Sequence, residues 1–144
     1  MSLVDDPFDL ERFVTAQDAG GIYDLAVGEL TEGRKTSHWM WFVFPQIAGL
    51  GHSATSRSFA ISSPEQARAY LNHSVLGPRL IECTGIVARL KGRSAEQIFG
   101  TIDAQKLRSS MTLFMRAAPD EPVFGQVLEW FFDGQPDAAT DQRL

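Results

Sequence analysis

The segment Lys35-Thr-Ser-His-Trp-Met-Trp-Phe-Val-Phe-Pro-Gln46 contains two of the three tryptophans of the chain, together with two phenylalanines, a histidine and a proline. Its apolar residues fit one face of a helix and equally one face of a strand, so periodicity alone leaves both structures open. Neighbouring side chains point to different faces in either structure, and the eight residues from 38 to 45 therefore cannot all be buried. We expect at least one large ring to line a cleft or to be exposed.

The length of 144 residues, with 44% hydrophobic and 22% charged residues, fits one folded domain over residues 1–144. Residues 1–5 are expected to be a tag remnant or disordered. The net charge of -5 argues against binding to duplex nucleic acid or an anionic membrane. The chain has no apolar run of the ~20 residues that span a bilayer, and its start lacks the features of a signal peptide. A single cysteine, Cys83, suits a reducing cytoplasm.

Capping and turn signals indicate a helical protein. The pattern of Ser followed by Gln at the third position occurs twice, and Pro stands at expected first helical positions. The predicted starts and caps are Asp6-Pro7, Ser63–Gln66, Ser94–Gln97, Asp103, Pro122 and Asp137, and the predicted stops are Gly33 and Asp133-Gly134. We predict a mainly α, compact single-domain bundle of six or seven helices. At most a small β element near residues 39–61 is expected, so an α+β arrangement stays open.

Aromatic rings and a histidine offer a binding surface within the opening segment. Trp39, Trp41 and Phe44 could form an apolar wall that stacks a flat ring such as a nucleobase. His38, at the edge of this wall, has a side chain suited to proton transfer near neutral pH. Core packing of the rings and a purely structural role for His38 are the competing interpretations. The three histidines lack metal-binding spacing, so neither a metal nor a cofactor is expected.

Phosphate contacts are expected from two further segments. The loop from Gly49 to Arg57 contains small residues, hydroxyls and Arg57, which suit a phosphate, although the loop is not a Walker motif. Lys106 and Ser110 lie one turn apart on a predicted helix, next to Arg108. An ordinary connection and a solvated helical face are the competing interpretations.

Several motifs together resemble the domain-of-unknown-function family numbered 1810. They are Asp6-Pro-Phe-Asp-Leu-x-Arg-Phe13, Ser37-His-Trp-Met-Trp-Phe-x-Phe-Pro-Gln46, Ile98-Phe-Gly100, Ser109-Ser-Met-Thr-Leu-Phe114 and Phe131-x-x-Gly-x-Pro-Asp137. That family is distantly similar to NADAR domains, which are compact and helix-rich and include N-glycosidases acting on ADP-ribosyl or ribosyl-phosphate compounds. The chain lacks the Val-Glu-His-x-x-Gln and Asp-x-x-Trp-Gly segments of NADAR domains. The label calpastatin, carried by some members, does not fit a chain without repeats.

The residues and the resemblance together lead to one functional hypothesis. The protein binds a nucleotide or ADP-ribose-like compound in a pocket and, as the NADAR similarity implies, hydrolyses an N-glycosidic bond. The expected proton-transfer or water-positioning residues are His38 and Asp103, and the expected ligand contacts are Trp39, Trp41, Phe44, Gln46, Arg57, Lys106, Arg108 and Ser110. The alternative is a non-catalytic protein-interaction module that uses the aromatic block 38–45. A monomer or weak homodimer is expected in either case.

Overall fold

Six helices of eight or more residues form the body of the computed structural model, which describes residues 5–144. They are α1 Glu11–Asp18, α2 Ile22–Thr31, α5 Pro64–Asn72, α6 Leu76–Ala88, α7 Ala95–Ala117 and α8 Pro122–Phe132. Three short helices complete the order, α3 Met40–Val43, α4 Ala54–Ser58 and α9 Ala138–Asp141. The prediction of a mainly α bundle is confirmed. The small β element is reduced, within these residues, to one parallel bridge between Ile47 and Ile61. Residues 1–4, part of the predicted tag remnant, lie outside the described residues.

Local capping signals position most helix ends as predicted. Ser94 Oγ accepts from Gln97 N at 3.0 Å and Gln97 Oε1 accepts from Ser94 N at 2.8 Å, which is a complete capping box. Asp137 accepts from Thr140 N at 3.1 Å and caps α9. Asp6 accepts from the backbone N–H of Leu10 at 2.8 Å, although α1 begins at Glu11 rather than at Pro7. These bonds satisfy N–H groups that a helix start leaves without partners.

The predicted helix start at Asp103 is wrong. Helix α7 runs from Ala95 to Ala117 and is interrupted at Gly100, where φ is 80° and ψ is 165°. This left-handed φ is accessible to glycine at little cost, so the chain changes direction there and resumes its helix before Asp103. Asp103 therefore lies inside the helix, and its carboxylate is bound to Lys35 instead of capping the backbone.

Aromatic rings from four helices form a continuous line through the core. Tyr70 of α5 packs edge-on against Phe13 of α1, with ring centroids 5.1 Å apart. On its other side Tyr70 contacts Phe114 of α7 at 5.4 Å, and Phe114 contacts Phe124 of α8 at 5.8 Å. All four side chains are fully buried, so these rings join the first helix to the last long one.

The segment from Lys35 to Gln46 forms a bend followed by the four-residue helix α3. The carboxylate of Glu29, on α2, holds its start: it accepts from Thr36 N and Ser37 N at 2.9 Å each, from Ser37 Oγ at 2.5 Å and from Trp39 Nε1 at 3.0 Å. Burial raises the pKa of Glu29, but the donated hydrogen bonds outweigh that effect and lower the pKa to about 2. A buried, ionised carboxylate thus fixes the fold of the segment.

The other end of the same segment is held from α1. Gln17, which is buried, donates from Nε2 to the carbonyl oxygen of Phe42 at 2.8 Å. Arg79 of α6 donates to Gln17 Oε1 at 3.1 Å and so orients the amide. The two ends of the aromatic block are therefore each bound by a buried polar side chain of another helix, which satisfies backbone groups that α3 is too short to satisfy.

Replacement of Glu29 by Gln should destabilise the fold in a pH-dependent manner. The folded pKa of about 2 lies below the ordinary value of 4.5. The stabilisation is therefore complete above the unfolded pKa and is lost as the pH falls toward 2, and its size is roughly 3 kcal/mol. Urea unfolding at pH 7 and pH 3 should give a difference between wild type and E29Q that narrows at the lower pH. Glu65→Gln, an exposed control, should change stability by less than about 0.5 kcal/mol. An equal difference at both pH values would contradict this role.

Replacement of Gly77 by Ala should destabilise the junction of α5 and α6. A Cβ atom at Gly77 would lie 2.0 Å from the carbonyl oxygen of Leu71, which is backbone and cannot move aside cheaply. We expect a loss of about 3 kcal/mol in the free energy of unfolding. The matched control is Gly85→Ala in the same helix, where the added Cβ meets only Arg89 Nη1, at 3.7 Å. That change should be neutral or stabilising by up to about 1 kcal/mol, and similar losses for both variants would argue against the close approach.

Candidate functional site

The aromatic segment and the start of the second part of α7 together form a cleft of about 420 Å³, here called the His38 cleft. Its lining includes Lys35, His38, Trp41, Gly100, Ile102 and Asp103. Two candidate residues for proton transfer, His38 and Asp103, therefore line the same depression although they are far apart in the sequence. The imidazole of His38 is exposed, and within residues 5–144 it makes no side-chain hydrogen bond or ion pair.

Two further clefts continue from the first. The Asp137 cleft, of about 490 Å³, shares Thr101 and Ile102 with the His38 cleft. The Arg57 cleft, of about 350 Å³, shares Gln46 and Gly51 with the Asp137 cleft. The predicted ligand contacts Gln46, Lys106 and Arg57 are distributed along these two adjoining clefts. The loop before α4 and the second part of α7 therefore border a row of adjoining clefts.

A carboxylate between two ammonium groups is the charged centre of the His38 cleft. Lys35 Nζ lies 2.7 Å from Asp103 Oδ2, and the two side chains are only 7% and 20% exposed. Lys35 also donates to the carbonyl oxygen of Ser37 at 2.6 Å. Lys106, one helical turn beyond Asp103, brings its Nζ within 3.7 Å of Asp103 Oδ1. Two positive charges around one negative charge leave the group with a net positive charge.

The Lys106 ammonium also lies over the ring of Trp41, 4.8 Å from the centroid. Trp41 is half-buried, lines the His38 cleft and is the tryptophan of the segment that remains accessible. The Lys106 ammonium can bind an anion, and the Trp41 ring can stack on a flat group. The His38 imidazole, which lines the same cleft as Trp41, can transfer a proton. The expectation that one large ring lines a cleft is fulfilled by Trp41.

Three predicted ligand contacts are buried, and a fourth, Arg108, is bound to the C-terminal segment. Trp39 and Phe44 are fully buried, and Trp39 donates its ring N–H to Glu29, so neither ring can stack on a ligand. Ser110 is also fully buried, and its hydroxyl has no hydrogen-bond partner among the described residues. Arg108 donates to the carbonyl oxygens of Gln135 and Pro136 at 2.8 and 3.2 Å and thereby holds the C-terminal segment.

Sequence reasoning missed Lys35 and Asp137 as site residues. Lys35 begins the quoted segment, but its burial against Asp103 depends on a contact across 68 positions of the chain, which no local pattern reveals. Asp137 was predicted only as a helix cap. Within residues 5–144, no three His, Cys, Asp or Glu side chains gather closely enough to hold a metal ion. None of the helices there combines the length and apolar character that a membrane crossing requires.

The family described as "Protein of unknown function (DUF1810)" matches residues 7–144. The chain belongs to the DUF1810 family. The fold of this DUF1810 protein is similar to that of the conserved hypothetical protein Rv1873 from Mycobacterium tuberculosis, with a TM-score of 0.93 and 52% sequence identity. The similarity covers 96% of this chain and 98% of the mycobacterial one. The comparison with curated proteins gives no match. Neither the family nor the mycobacterial protein is described as a NADAR domain, so the similarity of this chain to NADAR domains stays a prediction.

The two lysines around Asp103 should contribute unequally to stability. Lys35→Met removes the partner of a largely buried carboxylate, and we expect a loss of about 3 kcal/mol in the free energy of unfolding. Lys106→Met removes a longer and more accessible contact, and the loss should stay below about 1 kcal/mol. Chemical denaturation of both variants tests this difference. In an Asp103→Asn background the loss of stability caused by Lys35→Met should be markedly smaller. An unchanged loss would mean that Lys35 does not stabilise the fold through its ion pair with Asp103.

Proposed function

We propose that the His38 cleft binds a small phosphorylated ligand, a nucleotide or an ADP-ribose-like compound. The observation that carries the proposal is the stacked pair of Lys106 and Trp41 at the edge of the cleft, with centroid and ammonium 4.8 Å apart. The Trp41 ring offers a flat apolar surface on which a base can stack, and the Lys106 ammonium beside it can bind a phosphate carried by the sugar of the same nucleotide. Arg57 and Gln46, farther along the adjoining clefts, supply the next polar contacts.

Local charge supports an anionic ligand in an otherwise acidic protein. The chain has a formal net charge of -5. Lys35 and Asp103 line the His38 cleft, Lys106 contacts Asp103 and the Trp41 ring from the adjoining Asp137 cleft, and the three side chains sum to one positive charge. Because low-dielectric walls strengthen a local field, a single surplus cation can attract a phosphate there. A phosphorylated metabolite and one buried cysteine, Cys83, also fit a reducing cytoplasm, where we expect this protein as a monomer or weak homodimer.

Hydrolysis of an N-glycosidic bond is the finer part of the proposal. Water would form a bond to the anomeric carbon while the carbon–nitrogen bond breaks and its electron pair stays with the leaving base. His38, with no competing hydrogen bond, is the group to pass a proton from that water to the base nitrogen. Asp103 is already paired with Lys35, so its part is to orient Lys106.

An interaction module is the second candidate, and one side chain favours it. Ile102 is 75% exposed, and its side chain lines both the His38 cleft and the Asp137 cleft. An exposed branched apolar residue beside adjoining clefts is a feature of protein or peptide docking surfaces. A partner of that kind would bind across Ile102 without needing His38.

A thermal-shift screen with ADP-ribose, NAD, GMP and ribose 5-phosphate tests the ligand. A compound present at 100 times its dissociation constant adds about 2.7 kcal/mol, and should raise Tm by roughly 5 °C or more. Trp41→Ala and Lys106→Ala should remove that rise. Lys91 lies over Trp130 at 4.1 Å, in a Lys–Trp pair outside the clefts, so Lys91→Ala is the matched control and should keep the rise.

The outcomes separate the two candidates. No stabilisation by any of the four compounds at millimolar concentration would reject the ligand proposal and leave the interaction module. Stabilisation that survives Lys106→Ala would place the ligand elsewhere. Chromatography of the bound compound after incubation tests hydrolysis: release of free base by wild type, lost in His38→Ala, is expected. Binding without release would reject the reaction and retain the binding site.

A further inference from the structure

The Asp137 cleft presents a nearly buried carboxylate to an apolar depression. Asp137 is 8% exposed and lines the cleft together with the apolar side chains of Leu50, Ile102 and Ala139. Its volume of about 490 Å³ lies within the usual range of small-molecule sites, about 300–1,000 Å³. The cleft therefore has the size and the walls of a binding site, with one negative charge in its lining.

The hydrogen bonds of Asp137 leave one of its oxygens available. Oδ2 accepts from Ser109 Oγ at 3.0 Å, Thr140 N at 3.1 Å and Thr140 Oγ1 at 2.6 Å. Oδ1 accepts only from Gln105 Nε2, at 3.1 Å. A carboxylate oxygen can accept two hydrogen bonds. These four donors hold the carboxylate in one orientation, and Oδ1 keeps the capacity for a further donor.

Asp137 has no directly paired cation within the described part of the chain. Lys106 is the other charged residue lining the cleft, but its ammonium lies 3.7 Å from Asp103 and over the Trp41 ring. The four hydrogen bonds stabilise the buried carboxylate, as four do for Glu29, and a cation at Oδ1 would in addition neutralise its charge. A positively charged group entering the cleft would find an unpaired negative charge and a free lone pair at the same oxygen.

We infer that the Asp137 cleft binds a primary ammonium group carried on an apolar chain or ring. The apolar part contacts Leu50, Ile102 and Ala139, and the ammonium donates to Asp137 Oδ1 and neutralises its charge. Small amines and the lysine side chain of a peptide share this chemistry. The Asp137 cleft adjoins the His38 cleft and shares Thr101 and Ile102 with it, but the inference rests on Asp137, which the proposed function does not use.

The test uses benzylammonium chloride as the probe and benzyl alcohol as its uncharged counterpart, each titrated into the ¹⁵N-labelled full chain. Backbone amide shifts of Gln105, Ser109, Ala139 and Thr140 should move with benzylammonium, and benzyl alcohol should bind about tenfold more weakly. Asp137→Asn should weaken benzylammonium binding by about tenfold. Asp141→Asn removes an equal charge from the same short helix, away from the cleft, and should leave binding unchanged.

Each result decides for or against the site. Equal binding of amine and alcohol would reduce the cleft to an apolar depression and overturn the inference. So would undiminished binding to Asp137→Asn, or shifts confined to other parts of the molecule. If Asp137→Asn does not fold, the comparison of amine with alcohol on the wild-type chain still decides. Displacement of benzylammonium by a lysine-containing peptide would identify a protein as the natural source of the ammonium group. Displacement by small amines but not by the peptide would identify a metabolite.

Discussion

The carboxylate of Glu29 is the constraint on which the candidate site depends. It gathers four hydrogen bonds from Thr36, Ser37 and Trp39, all donated to a charge that is 7% exposed. Such a charge is stable inside the protein only when it is fully hydrogen-bonded. The bend before α3 is therefore determined by the donors that Glu29 requires, and this bend turns Trp39 inward and leaves Trp41 at the cleft.

A second tie connects the same segment to α7. The backbone N–H of Lys35 donates to the carbonyl of Ile98 at 2.8 Å, and the Lys35 side chain pairs with Asp103. Between these two contact points the chain reverses at Gly100. The His38 cleft is thus built from two rigid parts of the chain held at two points. Preorganised groups of this kind bind a ligand with less loss of conformational freedom than groups on a free loop.

Local signals predicted the helices well because capping depends on residues three or four positions apart. Ser94 and Gln97 form the predicted capping box, and Asp137 caps a short helix as predicted. Six long and three short α-helices are present where six or seven helices were predicted. The additional helix start predicted at Asp103 was wrong because the helix resumes directly after Gly100 and the Asp103 carboxylate pairs with the distant Lys35. The aromatic block could not be assigned to helix or strand from the sequence because contacts with distant segments determine its structure. A four-residue helix has too few internal hydrogen bonds to specify itself, so distant groups decide its structure.

The sequence by itself determined a helical protein, the positions of its caps, and the rule that the eight residues from 38 to 45 could not all be buried. It also identified His38, Trp41 and Lys106 as residues with suitable chemistry. Only the tertiary structure decided that Trp39 is buried while Trp41 lines the His38 cleft, and that Lys35 and Asp137 line adjoining clefts. The physical reason is the range of the interactions. Caps act within one helical turn, whereas the burial of a ring or an ion pair depends on segments that meet only after folding.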